Sequence, residues 1–440
     1  MNMRDNQSAA APSSTRGAAA EQQKVPPEAR RAIRGGILGN YVDQFDIFLP
    51  VIVLVPAAAH LFGAGNLARN AGLIFIATLI ARPIGAAIFG PTADRIGRSA
   101  TTKITIAGVA VTTLLIALVP PQLSENATLV WILVLRFLGG IFLGGGYTSA
   151  VPLAMEWTAP RRRGLVSGLI MWMSPWANAS IAALVFLLLG WAGPTGYEAW
   201  GWRVPFLLGA AMAVVMLGYY RHIEDSPAWR QTAKASGPLG QILAGPHRRS
   251  LAQVFVLMTG MWLFTDMAIA VLTGQLKTLA HLDDRATSFT MLCATAASAL
   301  AMVAAGHLST LTGRRRFFMT FGGLSAVLAP AGYLMVFRQQ PLGGTVAWVV
   351  VLQLVTVSVY GPIAAYLTER FLTGVRSSGY GVAYSLSIVL PALYPYYLPP
   401  LQQLLGDTAA VAALIALAGL LVAVGAMLGP DTDTRLELAE

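Results

Sequence analysis

GILGNYVDQFDIFLP, residues Gly36 to Pro50, is an apolar run of the kind that crosses a bilayer, yet it contains two carboxylates, Asp43 and Asp46. An acid at the centre of a membrane helix costs about 2.5–3.5 kcal/mol on insertion scales, so two acids in one run indicate a function. Projected at about 100° per residue, the small and polar residues share one arc of the helix. They are Gly36, Asn40, Asp43, Gln44, Asp46 and Pro50. The run therefore predicts a membrane helix with a polar face.

The composition extends this interpretation to the whole chain. Of its 440 residues, 55% are apolar and only 11% are charged, and the mean hydropathy is +0.62. Soluble domains contain about 25% charged residues, so the chain is predicted to be a polytopic helical membrane protein. Its single cysteine, Cys293, excludes an intramolecular disulfide. The first residues are rich in Ala, Ser and Gln and have no apolar core, which is typical of a disordered cytoplasmic tail.

Apolar runs separated by charged or Gly/Pro-rich breaks predict twelve transmembrane spans, numbered 1 to 12 here. They lie at about 34–62, 70–92, 101–119, 128–157, 163–191, 202–221, 249–279, 286–310, 315–337, 344–369, 375–403 and 406–428. The longest interior break divides them into two six-helix bundles, which we call the N-half (34–221) and the C-half (249–428). A cytoplasmic linker (222–248) joins them, and cytoplasmic tails (1–33 and 429–440) flank them.

The distribution of basic residues gives the orientation. With the N-terminus inside, cytoplasmic segments contain 23 of the 30 Lys and Arg residues and the outer loops only four. This asymmetry is the positive-inside bias of membrane proteins, and it predicts that both termini are cytoplasmic in a multi-pass inner membrane protein. It also accounts for the net charge of +10 without a nucleic-acid partner.

The two halves repeat each other at two landmarks. The residues that follow span 2 recur after span 8 with the same spacing, displaced by 216 positions; the first set is Gly90, Asp94, Arg95, Gly97, Arg98 and the second Gly306, Thr310, Leu311, Gly313, Arg314. Glu156 and Arg163 recur as Glu369 and Arg376, displaced by 213. Two landmarks at nearly one offset predict a duplicated six-span unit with pseudo-symmetric halves.

The loop GPTADRIGR, Gly90 to Arg98, resembles the loop signature of the major facilitator superfamily, and twelve spans with an internal repeat fit that fold. Within the superfamily the chain is most similar to the metabolite:proton symporters, relatives of the bacterial permeases for 2-oxoglutarate, citrate, shikimate and proline/betaine. The matching segments are GNYVDQFDIF (39–48), RPIGAAIFGPTADRIGR (82–98), RFLGGIFLGGGY (136–147) and GWRVPFLLG (201–209). The family usually has Gly-Gly-Glu-Tyr in span 4, where this chain has Gly146 in place of the acid.

The loop motif also has a physical interpretation. Gly90 allows two helices to approach closely, Asp94 can cap the next helix or pair with Arg163, and basic side chains can bind helix C-terminal carbonyls. Such contacts would latch the cytoplasmic side while the carrier faces outward. The predicted latch consists of Gly90, Asp94, Arg95, Gly97, Arg98, Glu156, Arg163, Glu369 and Arg376. The alternative is that these charges only anchor the helices at the lipid headgroups.

Five ionisable residues are predicted within the bilayer, namely Asp43, Asp46, Arg82, Arg136 and Asp266. Isolated charges are disfavoured at that depth, so they should face one another or a wet cavity. The two acids and two arginines of the N-half balance, an incoming anion would upset the balance, and a proton on Asp43 or Asp46 would restore it. The resemblance implies the same roles: anion binding by the arginines and proton coupling by the acids. The alternative is that both arginines form structural salt bridges.

Aromatic and amide groups complete the predicted substrate site: Asn40, Trp176, Asn178, Trp262, Tyr360 and Tyr384, with Asp266 either handling substrate or serving as a structural acid. No His, Cys or carboxylate spacing resembles a metal site, and no phosphate-binding loop indicates ATP. We expect no enzymatic activity and no cofactor, H⁺ as coupling ion with Na⁺ still open, and a monomer in the lipid bilayer.

The leading functional hypothesis is proton-coupled uptake of a small organic anion, a mono- or dicarboxylate, by alternating access. A first alternative is a zwitterionic substrate such as betaine or proline, which aromatic side chains would suit through cation–π contact. A second is proton-driven efflux of a drug or metabolite. Such antiporters carry Gly-Pro-x-x-Gly-Gly in span 5, where this chain has Ser174 and Pro175 between tryptophans. A non-transporting sensor is the remaining alternative.

Overall fold

The computed structural model describes residues 25–63, 67–338 and 340–430, and within these ranges every regular element is helical. The N-half spans are Pro27–Val53, Leu67–Ile96, Arg98–Ala117, Glu125–Glu156, the pair Pro160–Met171 and Met173–Gly196, and Arg203–Tyr220. In the C-half, span 7 runs through Arg248–Thr265, Asp266–Val271 and Leu272–Thr278, and spans 8 and 9 are Asp284–Thr312 and Arg314–Val336. Span 10 comprises Leu342–Thr356, Val357–Tyr360 and Ile363–Arg370, span 11 Arg376–Leu386, Val389–Ala392 and Tyr394–Leu405, and span 12 Asp407–Met427.

Span 1 begins earlier than the apolar pattern indicated. Its first helical residue is Pro27, which is favoured there because that position needs no backbone N–H donor. The helix therefore includes the last residues of the predicted N-tail, 1–33. Residues 1–24 of that tail and 431–440 of the predicted C-tail lie outside the described residues.

Several spans are interrupted near the middle of the bundle. Span 5 breaks at Trp172, span 7 contains a π turn at Asp266–Val271, and span 10 a 3₁₀ turn at Val357–Tyr360. Span 11 lies in three pieces. Within the described ranges, eleven helices are therefore long and apolar enough to cross a membrane, and the twelfth crossing is this broken one. Irregular backbone at membrane depth is tolerated where it is buried in protein or lines a cavity, so the breaks locate a site at the centre.

Glycines set the close packing of spans 2 and 4. A Cβ on Gly144 would lie 2.9 Å from the Cα of Arg82, and one on Gly140 2.9 Å from the Cβ of Ala81. Only glycine permits this approach, which brings the span 4 backbone directly against Arg82. In the C-half, spans 7 and 9 both pack on span 12, again through glycines.

The halves meet through spans 2 and 11 and through spans 5 and 8. Gly164 and Gly168 of span 5 face Gly306 and Val303 of span 8 so closely that a Cβ on either glycine of span 5 would overlap the facing backbone. The Ser167 hydroxyl donates to the carbonyl of Gly361 at 2.6 Å. These contacts lie beside the loops that carry Asp94 and Glu156. We call this end of the bundle the latch end.

Candidate functional site

Asp46 and Arg136 form a buried ion pair between spans 1 and 4. Nη1 of Arg136 lies 3.1 Å from Oδ2 of Asp46 and also donates to the Asp46 backbone carbonyl at 2.9 Å. The Thr113 hydroxyl donates to the same carboxylate. Arg136 is 0% exposed and its guanidinium stacks 5.9 Å from the Phe206 ring. The contacts of Arg136 among the described residues are therefore all with the N-half, as in the salt-bridge alternative.

Asp43, one turn before Asp46, has a different environment. Among the described residues it makes no ion pair within 4 Å, although Arg82 lies near enough to attract its charge and Asp46 near enough to repel it. Its carboxylate faces Gly146, where a Cβ would stand 3.3 Å from Oδ2. A side chain in the position usually occupied by an acid would therefore crowd Asp43, and the glycine lets the carboxylate lie against span 4. Asp43 is the carboxylate of span 1 that no arginine of the described residues binds.

Arg82 lies against two tyrosines from different halves. Its guanidinium carbon is 5.8 Å from the ring centroid of Tyr147 in span 4 and 5.6 Å from that of Tyr384 in span 11. The side chain is buried, and its Nε has no hydrogen-bond partner. A buried guanidinium N–H without an acceptor is costly, so this edge of Arg82 is suited to an anionic group of a ligand.

The two tyrosines belong to an aromatic cluster that bridges the halves. Tyr147 stacks on Tyr384 at 4.2 Å between ring centroids and packs on Tyr380 at 5.7 Å. Trp262 of span 7 meets Tyr384 edge-on at 5.1 Å and Tyr360 at 5.7 Å, and its indole N–H donates to the Tyr384 carbonyl. The cluster forms a continuous wall from Arg82 to the interior of the C-half.

Asp266 lies at the far end of this wall, in the π turn of span 7. The preceding Thr265 hydroxyl hydrogen-bonds the Tyr360 hydroxyl at 3.1 Å. The carboxylate is within electrostatic reach of Tyr360, Tyr394 and Tyr397, and it is partly exposed. No arginine or lysine of the described chain offsets its charge. Asp266 therefore has an aromatic surrounding and no cationic partner.

Three other predicted site residues are bound by their own half. The Asn40 amide donates across to span 5, to the Ile170 carbonyl beside the break, at 2.6 Å, while its Oδ1 has no partner. Asn178 donates within span 5 to the carbonyl of Ser174 at 3.4 Å. Trp176 is 48% exposed and meets the Trp172 ring edge-on. Asn40 thus faces the broken centre, and the contacts of Asn178 and Trp176 stay within span 5.

The latch end joins the halves through Asp94. Its carboxylate accepts from the backbone N–H groups of Ser377 and Ser378, at 3.0 Å each, and from the Ser378 hydroxyl at 2.7 Å. Those N–H groups open span 11, so the acid caps a helix of the other half. A Cβ on Gly90 would lie 2.7 Å from the Cα of Ser378. The expected capping role of Asp94 is thus directed to span 11, and its hydrogen bonds do not go to Arg163.

Glu156 connects basic residues from both halves. Its Oε1 lies 2.9 Å from Nη2 of Arg98 and 2.6 Å from Nη1 of Arg376. Arg98 also donates to the Thr373 carbonyl of the C-half at 2.9 Å. All three side chains are largely buried, so each charge depends on the others. Glu156 thus pairs across the interface between the halves as well as within the N-half.

The C-half repeats only the intradomain part of this arrangement. Arg314, equivalent to Arg98, forms two hydrogen bonds with Glu369, at 3.1 and 3.2 Å. Thr310, which stands in place of Asp94, accepts from Arg314. Arg163 donates to the carbonyl of Thr158, the Gly97 backbone has a positive φ of 112°, and Arg95 is exposed. The structure therefore gives Arg95 no contact in the latch among the described residues.

The linker between the halves takes part in the latch. The Ser226 hydroxyl donates to Oε2 of Glu156 at 2.5 Å. The Trp229 indole donates to the Asp94 carbonyl at 3.2 Å, and Asp225 accepts from the Ser99 backbone at 2.9 Å, at the start of span 3. Two short helices, Pro227–Gln231 and Pro238–Leu243, carry the chain across. The predicted linker is thus packed against the charges that hold the halves together.

Sequence reasoning did not assign Tyr147, Tyr380, Thr113 or Ser226 to a site. One available signal was that Tyr147 and Tyr360 each precede a latch glutamate by nine residues, so the repeat places them at equivalent positions. The others depend on contacts between distant spans. Among the described residues, no group of three or more His, Cys, Asp or Glu could hold a metal ion.

Comparison with known proteins gives consistent findings. The family model described as Major Facilitator Superfamily matches residues 37–395. The "Inner membrane metabolite transport protein YhjE" of Escherichia coli (strain K12) is 28% identical over 421 residues, covering 91% of this chain and 94% of the relative. The "Glycine betaine/proline/ectoine/pipecolic acid transporter OusA" of Dickeya dadantii is 25% identical, covering 83% and 76%. The solved proton:xylose symporter XylE has the same fold, with a TM-score of 0.73, 15% identity and coverage of 91% and 94%.

Proposed function

The chain belongs to the Major Facilitator Superfamily, and from that premise we propose that this multi-pass membrane transporter takes up a small metabolite bearing one carboxylate together with protons. The observation that carries the proposal is the contrast between the two N-half arginines. Both Nη atoms of Arg136 are bound by Asp46, whereas Arg82, beside the broken centre, makes no hydrogen bond and no ion pair within 4 Å among the described residues. One available guanidinium suits one carboxylate. This favours a monocarboxylate over the dicarboxylate that two free arginines would have suited.

Arg82 serves as the carboxylate anchor in this proposal. A planar guanidinium offers two N–H donors to one carboxylate, and Tyr147 and Tyr384 hold its plane in place. Because the rings come from spans 4 and 11, substrate bound at Arg82 touches both halves. Binding is thereby coupled to their relative position.

Asp43 serves as the proton site. Its carboxylate is close enough to Arg82 for attraction but shares no hydrogen bond with it among the described residues. When a substrate carboxylate takes the guanidinium, the electrostatic support for ionised Asp43 falls and protonation is favoured. Once the site is neutral, the two halves can reorient around it, because an uncompensated charge in the low-dielectric interior would be costly. Asp46 is bound by Arg136 and takes no part in coupling.

The latch sets the direction of access. With Asp94 and Glu156 bound to the C-half, the latch end is closed, which corresponds to an outward-facing or occluded carrier if that end is cytoplasmic. The excess of Lys and Arg on that side supports a cytoplasmic latch and cytoplasmic termini in the inner membrane. Release inside then requires these contacts to break.

Uptake into proteoliposomes tests the proposal. Monocarboxylates, zwitterionic carboxylates, dicarboxylates and tricarboxylates are supplied with and without an inward proton gradient. We expect a compound with a single carboxylate to accumulate only with the gradient. Efflux of a cationic drug without accumulation of any carboxylate would instead assign the chain to proton-driven export.

A further inference from the structure

Asp266 is a carboxylate inside the C-half that neither the latch nor the proton mechanism uses. It is partly exposed at the centre of the bundle, in a π turn, and no basic residue of the described chain compensates it. The two other acids predicted within the bilayer each have an arginine within ion-pair distance or in electrostatic contact: Asp43 has Arg82, and Asp46 has Arg136. An acid at this depth without a partner is a candidate for binding a cation that comes from outside the chain.

The groups around Asp266 are those that bind an organic cation. Tyr360, Tyr394 and Tyr397 lie within electrostatic reach of the carboxylate, and Trp262 packs on Tyr360 at 5.7 Å. Aromatic faces attract ammonium groups, most strongly where water is excluded. A small metal ion would need several oxygen ligands, and no cluster of three His, Cys, Asp or Glu exists among the described residues. The surroundings therefore favour an ammonium group.

The same aromatic wall leads from this acid to Arg82. The guanidinium carbon is 5.6 Å from the Tyr384 ring, Tyr384 is 5.1 Å from Trp262, and Trp262 is 5.7 Å from Tyr360. A positive anchor thus stands in the N-half and a negative one in the C-half, separated by rings. A molecule with charges of both signs could engage both anchors.

We propose that Asp266, Trp262 and Tyr360 form a subsite for an ammonium group, so that the substrate is a zwitterion whose carboxylate binds Arg82 and whose cationic end binds the C-half. This rests on the proposed function, because it takes Arg82 as the carboxylate anchor. Each end of the substrate then binds a different half of the carrier. Neither half completes the site alone, and closure around a zwitterion satisfies an unpartnered donor in one half and an uncompensated acid in the other.

Matched ligand pairs test the subsite. Glycine betaine and 3,3-dimethylbutyrate have the same shape and differ by a nitrogen cation in place of carbon; proline with cyclopentanecarboxylate, and 4-trimethylammoniobutyrate with 5,5-dimethylhexanoate, extend the comparison to other sizes. Binding to the purified full-length carrier is measured by calorimetry in a sodium-free buffer. We expect the zwitterion of at least one pair to bind about tenfold or more tightly than its uncharged-end partner.

Substitutions test whether the preference for the zwitterion comes from Asp266 and Trp262. Asp266→Asn should reduce the preference to within about threefold while the partner without a cation keeps its affinity, and Trp262→Leu should reduce it less. Asp407→Asn, which changes an exposed carboxylate at the start of span 12, is the control and should leave it unchanged.

The outcomes separate the two proposals. If the zwitterion is preferred in no pair, or if Asp266→Asn retains the full preference, the subsite is wrong, whereas gradient-driven uptake of a plain monocarboxylate would still support the proposed function. If Arg82→Gln leaves the affinity for both members of a bound pair unchanged, the carboxylate anchor itself is wrong.

Discussion

Arg136 donates to both the side chain and the backbone carbonyl of Asp46, so that one arginine fixes span 1 against span 4. Asp43, three residues away on the same helix, lacks any such bond among the described residues. Two acids that look alike in the sequence therefore have different surroundings. One binds span 4 within the N-half, and the other is the proposed proton site.

The Asp46–Arg136 pair should contribute to stability more than to coupling. Arg136→Met leaves a buried carboxylate unpaired, which costs about 3–5 kcal/mol in comparable buried pairs. We expect a clear fall in the Tm of the detergent-purified protein, and a partial recovery in the Asp46→Asn, Arg136→Met double variant. Asp43→Asn is the matched control. A double variant no more stable than Arg136→Met alone would mean that the pair is not the source of the effect.

Glu156 should control the balance between the outward- and inward-facing states, because it binds Arg376 across the interface at 2.6 Å. Glu156→Gln weakens that contact and leaves two arginines facing each other. We expect a larger separation of the halves at the latch end, measured by spin-label distances between cysteines at Arg95 and Arg316 in a Cys293→Ser background; both labelled positions are exposed.

Glu369→Gln is the control for that experiment. It removes the equivalent bond to Arg314 within the C-half and none across the interface. Its distance distribution should match that of the unsubstituted carrier. Equal widening in both variants would show that the interface contact is not what closes the latch.

Removing the contact between the linker and Glu156 should open the latch end as Glu156→Gln does, but to a smaller extent. Ser226→Ala removes the hydroxyl that orients Glu156, a loss of about 1.5–3 kcal/mol for a hydrogen bond to a charged group. We expect the same label pair to show an intermediate shift toward the open latch. Thr232→Ala, in the same linker, removes a hydroxyl that donates to the local carbonyl of Ala228, and it should show no shift.

Arg82 should be sensitive to geometry as well as to charge. Arg82→Lys keeps the charge but loses the planar pair of donors, so we expect the KM for uptake to rise roughly tenfold or more. Arg203→Lys is a suitable comparison, since that arginine caps the carbonyls of Ala117 and Val119 at the end of span 3. An unchanged KM in Arg82→Lys would place the carboxylate elsewhere.

Much of the fold followed from the sequence, because apolar length, basic loops and the repeated landmarks are local signals. The residues of the proposed site could also be selected from the sequence, since Asp43, Arg82 and Asp266 are charged residues in apolar spans. Their partners did not. The choice between Asp43 and Asp46 depends on which acid faces Arg136, and that is set by packing of spans 1 and 4.

The latch illustrates the same limit. The seven-residue spacing of Glu156 and Arg163 marked the repeat, but it did not show that Glu156 reaches Arg376 in the other half, because that contact depends on the interface that places span 11 beside it. The start of span 1 differed for a local reason, the proline at its first helical position. Contacts between repeats cannot be deduced from spacing within one repeat.

The most direct test of the account compares two kinds of uptake by Asp43→Asn carriers in proteoliposomes, with Asp46→Asn alongside. The substrate is a single-carboxylate compound that the unsubstituted carrier accumulates. We predict that Asp43→Asn loses accumulation driven by the proton gradient but retains counterflow exchange, which needs no net proton movement. Gradient-driven accumulation by Asp43→Asn at the level of the unsubstituted carrier would contradict the account.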